Sequence, residues 1–375
     1  MGIVVPLVTG GHAFVPSPLP REIDLASIVP ALTEAAMALG ELKGIGRTMP
    51  NPYLLINPLQ KKEAIASSNI EGTHTSLTDL FLLEAGAEEK DRPPDTREVY
   101  NYVRALQKSI ESLRELPVCL RVIREAHGIL LAGVQKNRGA NIVPGEFKTD
   151  QNWIGGGTKI DQARFVPPPP RESIDCLSDL EKFINDRDVE NAMPALVHIA
   201  LAHYQFETIH PFPDGNGRVG RLLIPLMLCA KGILPQPLLY MSAFFERERE
   251  EYVDRLFAVS TQGDWTGWLV FFLGGVMEQC QETIAIVRKL QDLHASYRER
   301  LQKARASALI SRLIDVVLES PFLTIPMAQK IIKVTYRSAQ LNIDKLVAAD
   351  ILRELKGSNY PKWFYAHEVL DAIQG

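Results

Sequence analysis

The sequence predicts a mainly α-helical protein. Apolar residues recur at helical spacing in segment after segment, proline- and glycine-rich breaks separate those segments, and few stretches alternate as strands do. At 375 residues the chain is too long for one small core, and a prior of roughly 150 residues per domain gives two or three units. We divide it into an N-terminal helical region (1–95), a helical core (96–300) and a C-terminal unit (301–375).

The first stretch, to Arg21, is rich in glycine and proline and reads as an extended arm. From Asp24 a helical pattern runs through IDLASIVPALTEAAMALGELKGI, and MPNPYLLINP follows as a connector. Asn57 before Pro58 makes a helix start, with a capping side chain and then a proline where no amide donor is needed. That helix, QKKEAIASSNIEG, ends at Gly72, a residue suited to a left-handed cap. Further helices are expected at Leu77 to Glu88, Thr96 to Glu115 and Leu120 to Gln135. The turns and alternation of RGANIVPGEFKTDQNWIGGGTKIDQARFVPPPP then suit a β-hairpin, closed by Pro167 to Pro170. Helices resume at Arg171 to Asn185, Met193 to Glu207, Arg218 to Lys231 and Trp265 to Ala304. In the tail, ALISRLIDVVLES and FLTIPMAQKII read as helices, Thr335 can cap a third, and PKWFYAHEV alternates after GSN. Helix, helix, helix and hairpin resemble a winged helix.

Composition excludes several classes. Apolar content of 46% and charged content of 23% are ordinary for a folded soluble chain. A net charge of −4 gives no global footprint for nucleic acid or anionic lipid, so either partner would need a local patch. Cys119, Cys176, Cys229 and Cys280 are far apart, without metal-like spacing, and are expected to stay reduced in the cytoplasm. The N-terminus has no basic flank and is broken by Pro6, which argues against a signal peptide and, beside Gly2, against myristoylation. No apolar run reads as membrane-spanning, and no membrane partner is expected.

The chemistry concentrates in HPFPDGNGRVGR, from His210 to Arg221. Arg218 and Arg221 fall in the first turn of an otherwise apolar helix. Cations there oppose the helix dipole at a cost of a few tenths to about 1 kcal/mol each. A bound anion reverses that sign, and the glycines free backbone amides to meet it. Asp214 suits a magnesium ion, which usually keeps one or two carboxylates beside phosphate oxygens. His210 stands where a general base could deprotonate an attacking hydroxyl. The set reads as phosphoryl or nucleotidyl transfer, and Phe212, between two prolines, as a loop anchor.

At every defining position HPFPDGNGRVGR resembles the signature of Fic-domain proteins, histidine-x-phenylalanine-x-acid-glycine-asparagine-glycine-arginine-x-x-arginine. The resemblance implies a Fic-type helical core with a β-hairpin flap, and an enzyme that moves AMP from MgATP onto a protein hydroxyl and releases pyrophosphate. By the same resemblance His210 is the base, Asp214 the magnesium ligand, and Gly215, Asn216 and Gly217 the phosphate cradle. Arg218 and Arg221 would bind the β- and γ-phosphates. The flap, with Asn152, Trp153, Ile154 and Gly155, would dock the target backbone as an added strand, and Lys148 stands where arginine is common. Tyr252 and Tyr240 fall where relatives line the nucleotide pocket.

A second motif is SSNIEG. Ser67 and Glu71, four apart, share one helix face, and Gly72 ends the helix. In the family, serine or threonine, three residues, glutamate, then glycine or asparagine marks an inhibitory helix, here N-terminal to the core. Glu71 paired with Arg221 would occupy the place of the γ-phosphate.

Two other readings stand beside this one. In the first, the tail binds DNA through Arg337, Ser338 and Lys345 and the core only senses ATP. Nine Lys/Arg against seven Asp/Glu from Arg305 onward leave a surplus of only two, so protein docking or a homodimer suits the tail as well. In the second, the same fold transfers another phospho-group or removes AMP. His198 and His203, on one helix, read as satisfied core or surface histidines and not as a metal site.

Overall fold

In the computed structural model of this chain, the described residues are 2–8, 10–20, 23–48, 53–134, 142–157, 159–303, 308–356 and 361–374. Helices dominate them, and the two sheets are small and antiparallel.

The N-terminal stretch is a hairpin and not an extended arm. β1 (Gly2–Pro6) pairs with β2 (His12–Pro16), with Gly10 and Gly11 in the turn at positive φ, which glycine adopts without strain. β2 is also held from outside, since Phe14 N–H donates to Val166 O at 2.9 Å. That distant partner is what the local pattern could not reveal.

α1 (Val29–Thr48) follows a short 3₁₀ turn, and α2 (Tyr53–Ile70) begins earlier than the Asn57–Pro58 signal predicts. Pro58 lies inside α2, and Asn57 does not cap it. The Asn57 amide instead donates to Glu84 Oε2 at 3.2 Å and to Glu319 O at 3.3 Å. An interior proline removes one backbone hydrogen bond; burial of Ile56, Leu59 and Ala64 on the same helix outweighs that loss.

α3 (Leu77–Glu84), α4 (Thr96–Ser112) and α5 (Leu120–Leu130) occupy the predicted places but end earlier, and Gln135, the expected end of the third, lies outside the described residues. α6 (Pro170–Asn185) and α7 (Arg187–Ala192) lead into α8 (Ala195–Ile209) and α9 (Asn216–Ala230). Almost every side chain of α8 and α9 is buried, as expected for helices apolar on all sides at the centre of a core. The hairpin expected before α6 reduces to one antiparallel bridge, Ile154 to Phe165, because three consecutive glycines at positive φ, Gly155 to Gly157, turn the chain sharply.

α10 (Ser242–Arg247), α11 (Arg249–Gln262) and α12 (Trp265–Lys303) complete the central part. Contrary to the sequence reading, α12 is long and apolar enough to cross a membrane, although 61% of its most apolar stretch is buried inside the protein.

The tail contains α13 (Ala308–Glu319), β3 (Phe322–Thr324), α14 (Ile325–Ile332), α15 (Tyr336–Ala348), β4 (Arg353–Glu354), β5 (Trp363–Tyr365) and α16 (His367–Gln374). Its sheet runs β3-β5-β4, and its elements follow in the order helix, strand, helix, helix and hairpin. Thr335 caps α15 through Ser338 N–H at 3.3 Å. FLTIPMAQKII splits into a strand and a helix, with Thr324 capping α14. The residues after Tyr365 coil into α16, and Glu368 there takes a two-pronged ion pair from Arg300 of α12, both bonds 2.9 Å.

Candidate active site

The loop between α8 and α9 carries the motif. His210 ends α8 in the left-handed region at φ +47°, uncommon for a residue with a side chain, and several bonds hold it there. The Asn152 amide donates to the carbonyls of His210 and Phe212, both at 3.0 Å. Lys148 Nζ donates to Asn152 Oδ1 at 2.8 Å and to Ile209 O at 3.3 Å, while its own N–H reaches Pro211 O. Phe212 is fully buried and stacks on His127 at 3.8 Å, so it anchors the loop as predicted. Asn216 closes the loop from below, accepting Phe212 N–H at 2.8 Å and donating to Phe212 O at 2.7 Å. Its side chain is thereby fixed against the loop.

His127 was not singled out in the sequence, where a histidine on an amphipathic helix carries no distinguishing signal. Gly145 N–H donates to its Nδ1 at 2.9 Å, so the ring proton sits on Nε2 and is donated to Asp214 O at 3.0 Å. Burial holds its pKa near 4, so this brace is neutral.

His210 presents one nitrogen to the site. Its Nδ1 lies 3.3 Å from Glu207 O, an acceptor, which places the proton on Nδ1 and the lone pair on Nε2. Burial, reinforced by the positive charge of Lys148, lowers its pKa to about 4. At neutral pH it is an unprotonated base.

The two motif arginines diverge. Both leave the start of α9, one toward α4 and the other toward α2. Arg218 is fully buried and forms an ion pair with Glu98 of α4, with Asp214 3.8 Å from its other nitrogen. Arg218 does not line the cavity described below. Arg221 turns to the end of α2. Its Nε donates to Ser67 Oγ at 2.9 Å, and a terminal nitrogen donates to Ser67 O and to Glu71 Oε1, both at 2.7 Å. Burial pushes the Glu71 carboxyl up, but the guanidinium outweighs it and the net shift is down. Gly72, at φ +78°, donates to Asn69 O and ends the turn that carries Glu71.

Gly217 is where these groups meet. An ideal Cβ on Gly217 would fall 2.3 Å from Glu71 Oε1 and 2.8 Å from an Arg221 terminal nitrogen. The Glu71 carboxylate therefore rests on the bare α-carbon of the motif's second glycine. Gly215, at φ +78°, is the residue before α9 and supplies the turn.

A cavity of about 210 Å³ opens above this point. Its lining combines the polar Glu71, His210 and Arg221 and the bare Gly217 with the apolar Ile154, Phe165, Val253, Leu256 and Phe257. Tyr252 also lines it, and its hydroxyl meets Nε2 of the buried His203 at 2.8 Å, so His203 is a satisfied core histidine as expected. Tyr240 lines a different, smaller pocket and takes no part. Of the flap residues, Ile154 reaches the cavity, Asn152 braces His210, Trp153 Nε1 donates to Gly157 O, and Gly155 turns the chain at φ +69°. Glu207 is a lining residue the sequence reading missed, and burial lifts its pKa to about 7 against the pull of Arg221. Arg337 and Lys345 are exposed on α15, and Ser338 is half-buried there.

Among the described residues no group of three or more His, Cys, Asp or Glu could hold a metal by itself. The Asp214 side chain is partly exposed, with its Oδ1 accepting Gly215 N–H at 2.7 Å, and a single carboxylate of this kind suits a magnesium ion that brings its other oxygen ligands with a nucleotide.

Comparison with known proteins agrees with this geometry. Residues 29–111 match the family model described as Fic/DOC family N-terminal, and residues 117–228 match that of the Fic/DOC family. A probable protein adenylyltransferase of Aquifex aeolicus is 30% identical over 53% of this chain and 54% of its own length. The protein adenylyltransferase Fic of Drosophila mojavensis is 32% identical over 33% of this chain and 22% of its own. The chain thus matches about half or less of these relatives' length. The crystal structure of a Fic family protein from Desulfovibrio desulfuricans superposes with a TM-score of 0.58 at 18% identity, covering 93% of this chain and 98% of that one, and shares the fold.

Proposed function

Because the chain belongs to the Fic/DOC family, we propose that it is a protein adenylyltransferase, transferring AMP from MgATP to a serine, threonine or tyrosine hydroxyl of a target protein or of itself, and that Glu71 holds it inactive at rest. The observation that carries this reading is the Glu71 carboxylate on Arg221, seated against Gly217.

The triphosphate would lie over Gly215, Asn216 and Gly217 at the N-terminus of α9, where backbone amides and the helix dipole favour negative charge. The base would enter the cavity among its apolar lining residues and Tyr252. The acceptor hydroxyl gives its proton to His210 Nε2 as its oxygen bonds to the α-phosphorus, and the bond from that phosphorus to pyrophosphate breaks. Asp214 would hold the magnesium ion that accompanies ATP; when bound, that ion neutralises phosphate charge. Arg221 would take the γ-phosphate, and it can do so only after Glu71 leaves.

Arg218 supports the loop from within through Glu98. The flap, anchored by Asn152, would receive the target strand next to Ile154. The exposed face of α15 is read as a docking surface for a protein partner or a second copy, and the chain as cytoplasmic.

Intact-mass analysis tests the chemistry. Incubation of the Glu71→Gly protein with MgATP should add the mass of AMP to itself or to an added lysate protein, and His210→Ala should abolish it. Addition of a phosphate mass would assign a different phospho-transfer.

A further inference from the structure

Arg221 has two carboxylates beside it, and only one is in use. Glu71 rests against Gly217; the other, Glu207 of α8, rests against Gly220, where an ideal Cβ would fall 2.1 Å from its Oε1. Gly217 and Gly220 are three apart, so one face of α9 carries two glycine seats, each filled by a carboxylate, with Arg221 next to the second. Oε1 of Glu207 is buried and has no hydrogen-bond partner. Buried polar atoms seldom stay unpartnered unless another state of the protein, or a ligand, completes them.

The bonds of Arg221 say when that happens. Ser67 Oγ, Ser67 O and Glu71 Oε1 all belong to the end of α2, so withdrawal of that one segment removes all three together. The Arg221 side chain is only 2% exposed. A buried cation left without an anion is strongly destabilising, and Glu207 is the other carboxylate among the described residues lining the cavity. We infer that Glu207 is a positioning residue for Arg221, taking up the guanidinium when Glu71 withdraws and keeping it turned toward the cavity.

The inference rests on reading Glu71 as a removable clamp. The groups that bear on Glu207 fit the exchange: Arg221 attracts its ionised form, Glu71 repels it, and Tyr252 of α11 stands alongside. Departure of Glu71 removes the repulsion and leaves the attraction. A guanidinium has five donors, so one edge can rest on Glu207 while another meets phosphate.

A thermal double-mutant cycle at pH 8 without nucleotide tests this. Glu207→Gln should shift the Tm by less than about 2 °C in protein that retains Glu71, and lower it by about 4 °C or more in Glu71→Gly. Glu207→Asp, which keeps the charge, should restore at least about half of that loss. In Glu71→Gly, Glu207→Gln should also weaken MgATP binding about tenfold by calorimetry. Equal Tm shifts in the two backgrounds, or unchanged MgATP affinity, would overturn the role. The cycle needs no transfer activity, so additive shifts alongside AMP transfer would remove Glu207 and leave the clamp standing.

Discussion

Glu71 Oε1 and Arg221 are joined at 2.7 Å against the α-carbon of Gly217. Under the proposed clamp, closure would act on nucleotide pose and leave the base untouched. His210 is already neutral and correctly tautomeric in the closed state.

Ser67 should tune the clamp. Ser67→Ala removes the hydroxyl that accepts from Arg221 Nε but leaves the backbone acceptor and Glu71. Losing one such bond is worth about 0.5–1.5 kcal/mol, so basal AMP incorporation should rise a few-fold, less than in Glu71→Gly. Incorporation assays on the two variants side by side check the order.

Gly217→Ala separates release from activation. Its methyl would collide with Glu71 and Arg221, which opens the clamp, but it also fills the phosphate seat. Calorimetry should show MgATP binding weakened by about tenfold or more, with no gain in AMP transfer.

Glu98 should matter for stability. Glu98→Ala leaves the buried Arg218 guanidinium with only the more distant Asp214, 3.8 Å away, so the loss should approach but not exceed about 3–5 kcal/mol, the cost of a broken buried pair. Denaturant unfolding should register that loss.

The protonation of His210 gives a pH prediction. Burial lowers its pKa to about 4, below the ordinary imidazole value of about 6.5, so its neutral burial contributes stability that is fully present above about pH 6.5 and lost as pH falls through about 4. NMR titration should find the His210 imidazole uncharged at pH 5.5, and a midpoint near 6.5 would contradict the buried-base account.

What the sequence made legible was whatever local spacing encodes. HPFPDGNGRVGR and SSNIEG are each read within a dozen residues, and their roles rest on identities that few other arrangements share. Contacts between distant segments were not legible. Glu98 lies 120 residues from Arg218, and nothing near either one announces the pair that turns Arg218 inward. Glu207 looked like the polar end of a buried helix, and only the packing of α8 on α9 sets it against Gly220. Pro58 misled for a related reason: its local signal for a helix start was overridden by burial of the residues around it.

The most direct test is labelled-ATP incorporation by the wild-type protein and by Glu71→Gly, His210→Ala and the double variant, at equal concentration. A charge-assisted bond of about 1.5–3 kcal/mol, taken at its lower half because the Glu71 side chain is partly exposed, predicts a rise of about tenfold in Glu71→Gly. Both proteins carrying His210→Ala should stay at background. Equal incorporation in wild type and Glu71→Gly would contradict the clamp at Arg221.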